Sequence, residues 1–334
     1  MIKVEHINKT FQVARRNSGF TEAFKALFHK EYEYVKALED ISFQIEEGEM
    51  VGYIGPNGAG KSSTIKILSG ILNPDNGTCE INGRIPWKNR IDHVREIGVV
   101  FGQRSQLWWD VPVIDSFELL KDIYSVPDSM YKETLDELVT LLNLEQIIRT
   151  PTRQLSLGQR MRCEIAASLL HRPKILFLDE PTIGLDAVSK IAVRNFILDI
   201  NNRHKTTVIL TTHDMQDIEA LTKRIILIGK GRILMDGHLE DMKKQFGGYK
   251  RITIEYNGAG IDLEAGMKQI SHNIARSDDK LISNGQMIIE IDTDRIPVSD
   301  AIAKISSQVE IKDISVAGSS IDEVVVQLYK EYEI

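Results

Sequence analysis

Residues 50–72 read MVGYIGPNGAGKSSTIKILSGIL. It opens with MVGYIG, a nearly continuous apolar run that is typical of a strand buried on both faces of a parallel sheet. After the glycines, Ile65, Leu68 and Leu72 recur at the spacing of a helix. Gly55–Ser62 lies between the two and matches the pattern G-x-x-x-x-G-K-[ST] in full. A strand, a glycine-rich loop and a helix in this order predict an α/β domain with a phosphate-binding loop.

The chemistry of this loop predicts a nucleoside triphosphate as ligand. Its glycines let consecutive N–H groups turn inward as a nest for phosphate oxygens. The lysine would reach the β- and γ-phosphates, and the first serine hydroxyl would bind Mg²⁺. The predicted nucleotide-binding residues of the loop are Gly55, Pro56, Asn57, Gly58, Ala59, Gly60, Lys61, Ser62 and Ser63.

Polar side chains follow three other apolar runs. KILFLDEP (174–181) ends in Asp179, expected to hold the magnesium shell, and Glu180, expected to orient and deprotonate the attacking water. TTVILTTHD (206–214) places His213 where it can hydrogen-bond a γ-phosphate, and Gln103 follows the run VVFG. Ligands of open α/β sheets bind at the carboxyl ends of the strands, so we expect these side chains to converge.

The overall composition is that of an ordinary globular protein, and we expect neither a nucleic-acid partner nor a zinc site. Among 334 residues, 41 basic and 48 acidic side chains leave a net charge of −7, which gives no electrostatic reason to expect nucleic acid as a partner. Cys79 and Cys163 lack metal-like spacing and are expected to be reduced thiols, with no zinc. No apolar run reaches the roughly 18–20 residues that span a bilayer, so any membrane role must pass through a partner.

The rest of the chain predicts four further features. KVEHI, ISFQI and GTCEING alternate like antiparallel strands, and residues 113–150 show helical periodicity. A basic and aromatic segment, 12–34, interrupts the strand pattern as an insertion. Strands and helices beyond about residue 240 suggest a separate small α+β domain. We therefore expect a nucleotide-binding domain over 1–240, with a helical subdomain at about 104–165, and an accessory or dimerisation domain over 241–334.

Five elements stand in a fixed order: GPNGAGKSS, FGQ, LSLGQ, ILFLDEP followed by GLD, and TTHD. This order resembles the ATP-binding-cassette (ABC) ATPases, the engine subunits of ABC transporters. The resemblance covers about residues 1–240. It implies a P-loop NTPase cassette with a mixed sheet core, an antiparallel β subdomain and a helical subdomain, and an ATPase that uses ATP and Mg²⁺.

The resemblance also implies a head-to-tail dimer, either a homodimer or a pair with a non-identical ABC subunit. Each ATP would lie between one subunit's phosphate loop and the other's LSLGQ signature, which supplies Ser156, Gly158 and Gln159. By the same resemblance Asp186 contacts the opposite subunit, and His213 is the switch histidine. Gln103 would be the loop glutamine, near the nucleotide and its magnesium.

Two positions depart from the family's pattern. Leu157 stands where the commonest signature has glycine, but the phosphate-binding N–H groups remain. The aromatic residue that stacks on adenine normally precedes the strand leading to ALEDISF, and the insertion leaves both Phe11 and Tyr34 as candidates. We prefer Phe11.

The resemblance implies that this subunit works with a membrane permease that is a separate polypeptide. The resemblance is to bacterial exporter ATPases, which work at the cytoplasmic side of the cell membrane, attached through the permease. An importer ATPase and a soluble ABC ATPase acting on ribosomes or DNA remain alternatives. Trp108 and Trp109 suit the centre of an interface with the permease, or else pack in the core of the helical subdomain.

Overall fold

The structure is a computed structural model. It describes residues 1–14, 32–102, 104–246, 249–257, 281–283, 286–293, 296–307, 309–318 and 321–332. Gln103 and residues 15–31, the middle of the 12–34 segment, lie outside the described residues. The chain forms two compact units, Met1–Gly237 and His238–Ile334.

A small antiparallel sheet begins the first unit. It comprises β1 (Ile2–Ala14), β2 (Tyr32–Ile45) and β4 (Asn76–Ile81), in the order β2-β1-β4. Both neighbours of β1 run antiparallel to it. The strands reach further into the 12–34 segment than the sequence pattern predicted, because β1 continues to Ala14 and β2 begins at Tyr32.

A six-stranded sheet forms the centre of this unit, in the order β5-β6-β7-β3-β8-β9. Its strands are β3 (Met50–Ile54), β5 (Ile97–Phe101), β6 (Ile175–Asp179), β7 (Thr207–Thr211), β8 (Arg224–Gly229) and β9 (Arg232–His238). β3, β5, β6, β7 and β8 pair in parallel, and β6 and β7 are buried almost throughout, as their continuous apolar runs predicted. In the register, Asp179 lies opposite Phe101 on one side and Thr211 on the other. The ends of three strands therefore meet at one edge of the sheet.

Helices cover this sheet and build the predicted helical region. Among the described residues they are α1 (Lys61–Leu68), α2 (Arg90–Val94), α3 (Val113–Tyr124), α4 (Asp128–Leu142), a 3-10 turn (Thr152–Gln154), α5 (Leu157–Leu169), α6 (Ala187–His204) and α7 (Met215–Leu221). Leu138 and Leu142 of α4 are buried, in agreement with the helical periodicity of 113–150. Trp108 and Trp109 are 44% and 53% exposed, so the alternative in which both pack in the core is wrong.

The second unit is an α+β arrangement. Its antiparallel sheet has the order β11-β12-β10-β13, from β10 (Tyr249–Asn257), β11 (Leu281–Ser283), β12 (Gln286–Asp292) and β13 (Glu310–Gly318). The described helices are α8 (Leu239–Phe246), α9 (Val298–Ser306) and α10 (Ile321–Glu331). Alternate apolar residues of β10 and β12 pack with Ala301 and Ile305 of α9 in one core. This alternation is what one buried sheet face requires.

Across the described residues of both units, no helix has the length and apolar character needed to cross a membrane.

Candidate nucleotide site

The phosphate loop joins the end of β3 to the start of α1. Gly60 precedes α1 with φ of +113°, and a Cβ there would lie 2.7 Å from the Ala37 carbonyl oxygen, so only glycine fits. Lys61 is the first residue of α1 and is only 6% exposed. Its Nζ donates hydrogen bonds to the carbonyl oxygens of Gly55 (2.7 Å) and Pro56 (3.1 Å). The free N–H groups of the helix N-terminus and this ammonium create a site suited to phosphate.

The electrostatics around Lys61 are balanced by two carboxylates. Burial lowers the pKa of Lys61, whereas the charges of Glu180 and Asp179 act to raise it. Lys61 therefore interacts electrostatically with both carboxylates at the same edge of the sheet. A phosphate there would meet one buried cation and would be opposed by acids unless further positive charge is supplied.

Asp179, at the end of β6, connects α1 with β7. The Ser62 hydroxyl donates to Asp179 Oδ2 (3.2 Å), and the Thr211 hydroxyl donates to Asp179 Oδ1 (2.5 Å). The sequence pattern alone does not distinguish Thr211, although it ends an apolar strand like the other candidates. Its hydroxyl fixes the carboxylate orientation toward Ser62.

Glu180 and His213 form a close side-chain pair, with 2.8 Å between Glu180 Oε1 and His213 Nε2, a hydrogen-bonding distance. Glu180 has φ of +56°, a region that non-glycine residues seldom adopt, and its N–H donates to the Thr211 carbonyl oxygen (2.9 Å). Ser62, Asp179 and Glu180 line a cleft of about 390 Å³, together with Asn57 of the phosphate loop. The structure therefore brings predicted phosphate-loop and acidic-strand residues to one cleft, and His213 contacts one of them, Glu180.

The other loop residues take the following positions. Gly55 and Ala59 are buried, Pro56, Gly60 and Ser63 are half-buried, and Asn57, Gly58 and Ser62 are exposed. Gly58 also has a positive φ, of +81°. Gln103, predicted as a nucleotide and magnesium residue, lies outside the described residues.

The signature forms a second cluster at the start of α5. Ser156 Oγ accepts from the Gln159 N–H (3.2 Å), and Gln159 Oε1 accepts from the Ser156 N–H (2.9 Å), a reciprocal cap of the helix. Asp186 caps α6 in a similar way, accepting from the N–H (2.9 Å) and hydroxyl (2.8 Å) of Ser189. These hydrogen bonds, first that from the Ser189 N–H, lower the pKa of Asp186.

Gly158 brings the two caps together. A Cβ on Gly158 would lie 2.6 Å from Ser189 Oγ, so α5 and α6 begin side by side. Among the described residues, no hydrogen bond or ion pair joins the signature residues or Asp186 to Lys61, Ser62 or Glu180. The predicted site residues thus form two clusters within one chain.

The two candidates for adenine stacking lie on the same hairpin. Phe11 pairs with Val35, and Tyr34 pairs with Gln12, one residue further along. Tyr34 is 69% exposed, whereas Phe11 is partly buried and has Lys9 Nζ 5.8 Å from its ring centroid. Both remain predictions.

Comparison with known proteins identifies the family. The sequence profile described as "ABC transporter" matches residues 38–183. The chain is 29% identical to the daunorubicin resistance ATP-binding protein DrrA3 of Streptomyces coeruleorubidus over 302 residues, 90% of this chain and 93% of that protein. It is 33% identical to the methionine import ATP-binding protein MetN 2 of Bacillus licheniformis over 232 residues, 66% of this chain and 68% of that protein.

A solved structure shows the same fold. The dimeric, post-hydrolysis structure of the ATP-binding cassette MJ0796, bound to ADP and Pi, matches with a TM-score of 0.60 and 25% identity. The match covers 72% of this chain and 99% of that one. The predicted fold class, a P-loop ABC cassette with a mixed sheet core, an antiparallel β subdomain and helices, is confirmed, as is the predicted resemblance. The chain belongs to the ABC transporter family, as one of its ATP-binding, ATP-hydrolysing subunits.

Proposed function

We propose that this subunit binds Mg²⁺ with ATP through the cleft around Lys61 and uses hydrolysis to power export through a separate permease. The donors at the cleft fit magnesium, because the exposed Ser62 hydroxyl and the Asp179 carboxylate are hard oxygen ligands. Gln103 is a further candidate ligand. A bound Mg²⁺ would neutralise phosphate charge as it develops during hydrolysis. Lys61 would hold the β- and γ-phosphates from the opposite side.

The proposed roles of Glu180 and His213 follow from their pairing. Glu180 would orient a water for in-line attack on the γ-phosphorus and accept its proton. His213, 2.8 Å from the Glu180 carboxylate, would hold that carboxylate in place and hydrogen-bond the γ-phosphate. Breaking the bond to the γ-phosphorus then yields ADP and phosphate. The single observation that supports hydrolysis is that Lys61, Asp179 and the Glu180–His213 pair share one edge of the sheet.

We propose further that the signature cluster serves the ATP of a second subunit. Four large apolar side chains near Ser156 and Asp186 are exposed: Leu157 (37%), Ile183 (40%), Val188 (78%) and Ile191 (55%). Such a surface suits an interface. The solved cassette with ADP and Pi is itself a dimer, which supports this proposal. A homodimer needs no other component, and a pair with another ABC subunit is the alternative.

Export is supported by the extent of the similarity to the drug-resistance protein. That match runs over 302 residues, 90% of this chain, and so includes sequence beyond the cassette. The match to the import protein covers 66% of this chain, and import is the second candidate. We propose that the unit from about 241 to 334 is an accessory or dimerisation domain, and that residues 1–240 form the nucleotide-binding domain.

In this proposal the subunit is held at the cytoplasmic side of the membrane by its permease. The exposed Trp108 and Trp109 would contribute to the contact. Arg160 of α5 lies over the Trp109 ring, 6.0 Å from its centroid, so this surface connects directly with the signature helix. We propose no nucleic-acid partner and no zinc.

The test is to purify tagged Glu180→Gln protein from gently solubilised membranes of its native cells. A polytopic membrane protein at near-equal stoichiometry supports the transporter role, and Trp108→Ala with Trp109→Ala should weaken that association. Recovery with ribosomes or DNA-bound proteins instead would refute it. Proteoliposomes with the ATPase facing outward then decide the direction: ATP drives cargo inward for an exporter and outward for an importer.

A further inference from the structure

A buried ionic cluster lies behind the Glu180–His213 pair. Asp217, on α7, is 0% exposed, and Arg194, on α6, is 13% exposed. Arg194 Nε donates to Asp217 Oδ1 at 2.5 Å. A buried carboxylate loses its hydration free energy and is stable only when it is paired and hydrogen-bonded. Asp217 therefore needs these partners.

The other oxygen of Asp217 accepts from two loops. The Thr182 hydroxyl donates to Asp217 Oδ2, and so does the Thr212 hydroxyl, at 3.1 Å. Both threonines are buried, with 2% and 3% exposure. Thr182 lies two residues after Glu180, and Thr212 immediately precedes His213. One carboxylate is therefore bonded to both of the loops that carry the paired side chains.

We propose that Asp217 is a positioning residue for ATP hydrolysis. Through Thr182 and Thr212 it holds the two loops at the separation that lets Glu180 and His213 meet. This inference rests on the proposed roles of Glu180 and His213. Among the described residues, the Asp217 side chain hydrogen-bonds Thr182, Thr212 and Arg194, so it acts on the pair through its two threonines.

The backbone conformation of Glu180 explains why its loop needs a positioning residue. Glu180 has positive φ, an unusual backbone conformation that persists only where its surroundings impose it. The Glu180 N–H bond to the Thr211 carbonyl oxygen holds one side of that residue. The hydrogen bond from Thr182 to Asp217 holds the backbone on the C-terminal side of Glu180. Because Arg194 anchors Asp217 from α6, a shift of either loop would break a buried hydrogen bond to Asp217.

The test compares Thr182→Val with Thr222→Val. Valine keeps the volume of threonine and removes the hydroxyl. Thr222 is a matched control, since it is 4% exposed near the end of α7 and its hydroxyl donates to the Ile218 carbonyl oxygen (3.0 Å), away from the pair. The readouts are kcat and KM for ATP, with the melting temperature of each variant. Asp217→Asn provides a second, stronger change.

Thr182→Val should lower kcat about tenfold, and Asp217→Asn up to about 100-fold, with KM changed less than about twofold, because misplacement affects the reaction more than binding. Thr222→Val should keep both constants. In a His213→Ala background, Thr182→Val should cause a smaller further loss, since Glu180 remains to be positioned but its pairing with His213 does not. A residue with only a structural role would lower the melting temperature and leave kcat of the folded enzyme unchanged.

A wild-type kcat in Thr182→Val, or an equal loss with and without His213, would overturn the inference. The underlying proposal fails differently. If Glu180→Gln itself hydrolyses ATP at the wild-type rate, the catalytic role of Glu180 is wrong, whatever Thr182→Val shows. If Glu180→Gln is inactive and Thr182→Val is normal, only the positioning role is wrong.

Discussion

Ser156 is predicted to have two separable roles. Within the chain, its Oγ caps α5 by accepting from the Gln159 N–H at 3.2 Å. In the proposed dimer, the same hydroxyl faces the γ-phosphate bound by the partner. Substitutions that keep one role and remove the other can therefore test the dimer without unfolding the subunit.

Ser156→Ala removes both roles. Losing an N-cap costs about 1 kcal/mol, which corresponds to a fall of roughly 2–4 °C in the melting temperature of a folding unit the size of Met1–Gly237. Ser156→Asp keeps the cap, because aspartate is as good an N-cap as serine, so the melting temperature should change by less than about 1 °C. Its carboxylate would, however, point toward a phosphate.

The repulsion can be estimated from Coulomb's law. Two unit charges about 4–5 Å apart at an effective dielectric constant of about 20 repel by about 3–4 kcal/mol. A symmetric dimer contains two such sites, so dimerisation should weaken by about 7 kcal/mol, or about 10⁵-fold in dissociation constant. No comparable penalty applies to Ser156→Ala.

The assay uses the Glu180→Gln background, in which ATP should persist. Melting temperatures without nucleotide measure the cap, and sedimentation velocity with and without ATP measures the dimer. Ser156→Asp should melt like its parent and stay monomeric with ATP. An ATP-dependent dimer of parental affinity in Ser156→Asp would refute the placement of the signature at the partner's phosphate.

Three other predictions concern the loop, the signature contact and pH. Lys61→Met should weaken ATP binding roughly 10- to 150-fold in calorimetry, since a hydrogen bond to a charged group contributes about 1.5–3 kcal/mol, and unchanged affinity would contradict the phosphate role. Gly158→Ala places a Cβ 2.6 Å from Ser189 Oγ and should lower the free energy of unfolding in urea by about 1–3 kcal/mol. Adding Ser189→Ala to Gly158→Ala should restore part of that loss. Equal stability of Gly158→Ala and of the double variant would argue against this packing. Burial lowers the pKa of His171 to about 4, so its contribution to stability is complete above about pH 6.5 and falls toward pH 4, by at most about 1.4 kcal/mol per pH unit. His171→Phe should flatten that dependence, and a parallel curve would show that His171 is not its source.

The parts of the fold and site that the sequence predicted are those encoded in contiguous residues. The phosphate loop needs glycine at Gly58 and Gly60 because both have positive φ, and the buried strands β6 and β7 need uninterrupted apolar runs. Strand ends at one edge of a parallel sheet then bring Asp179 and His213 near the loop without further information. Local chemistry and a general rule of sheet topology were sufficient for these residues.

The parts that the sequence did not predict depend on partners distant along the chain. In the sequence, Asp217 resembles any solvent-exposed acid on a short helix. Its burial depends on Arg194, 23 residues away, and on Thr182, 35 residues away. Thr211 resembles any polar strand end until the register places it beside Asp179. Exposure of Trp108 and Trp109 was also open, because an aromatic pair is compatible with a core or an interface until the packing is known.

The catalytic role of Glu180 can be tested by steady-state ATP turnover of Glu180→Gln beside the wild type, with bound nucleotide measured on the same samples. We predict wild-type ATP affinity, about two ATP per dimer as the proposed head-to-tail arrangement requires, and phosphate release reduced by more than about 100-fold, as expected on loss of a general base. Phosphate release at the wild-type rate would contradict the central claim that the Glu180–His213 pair performs hydrolysis.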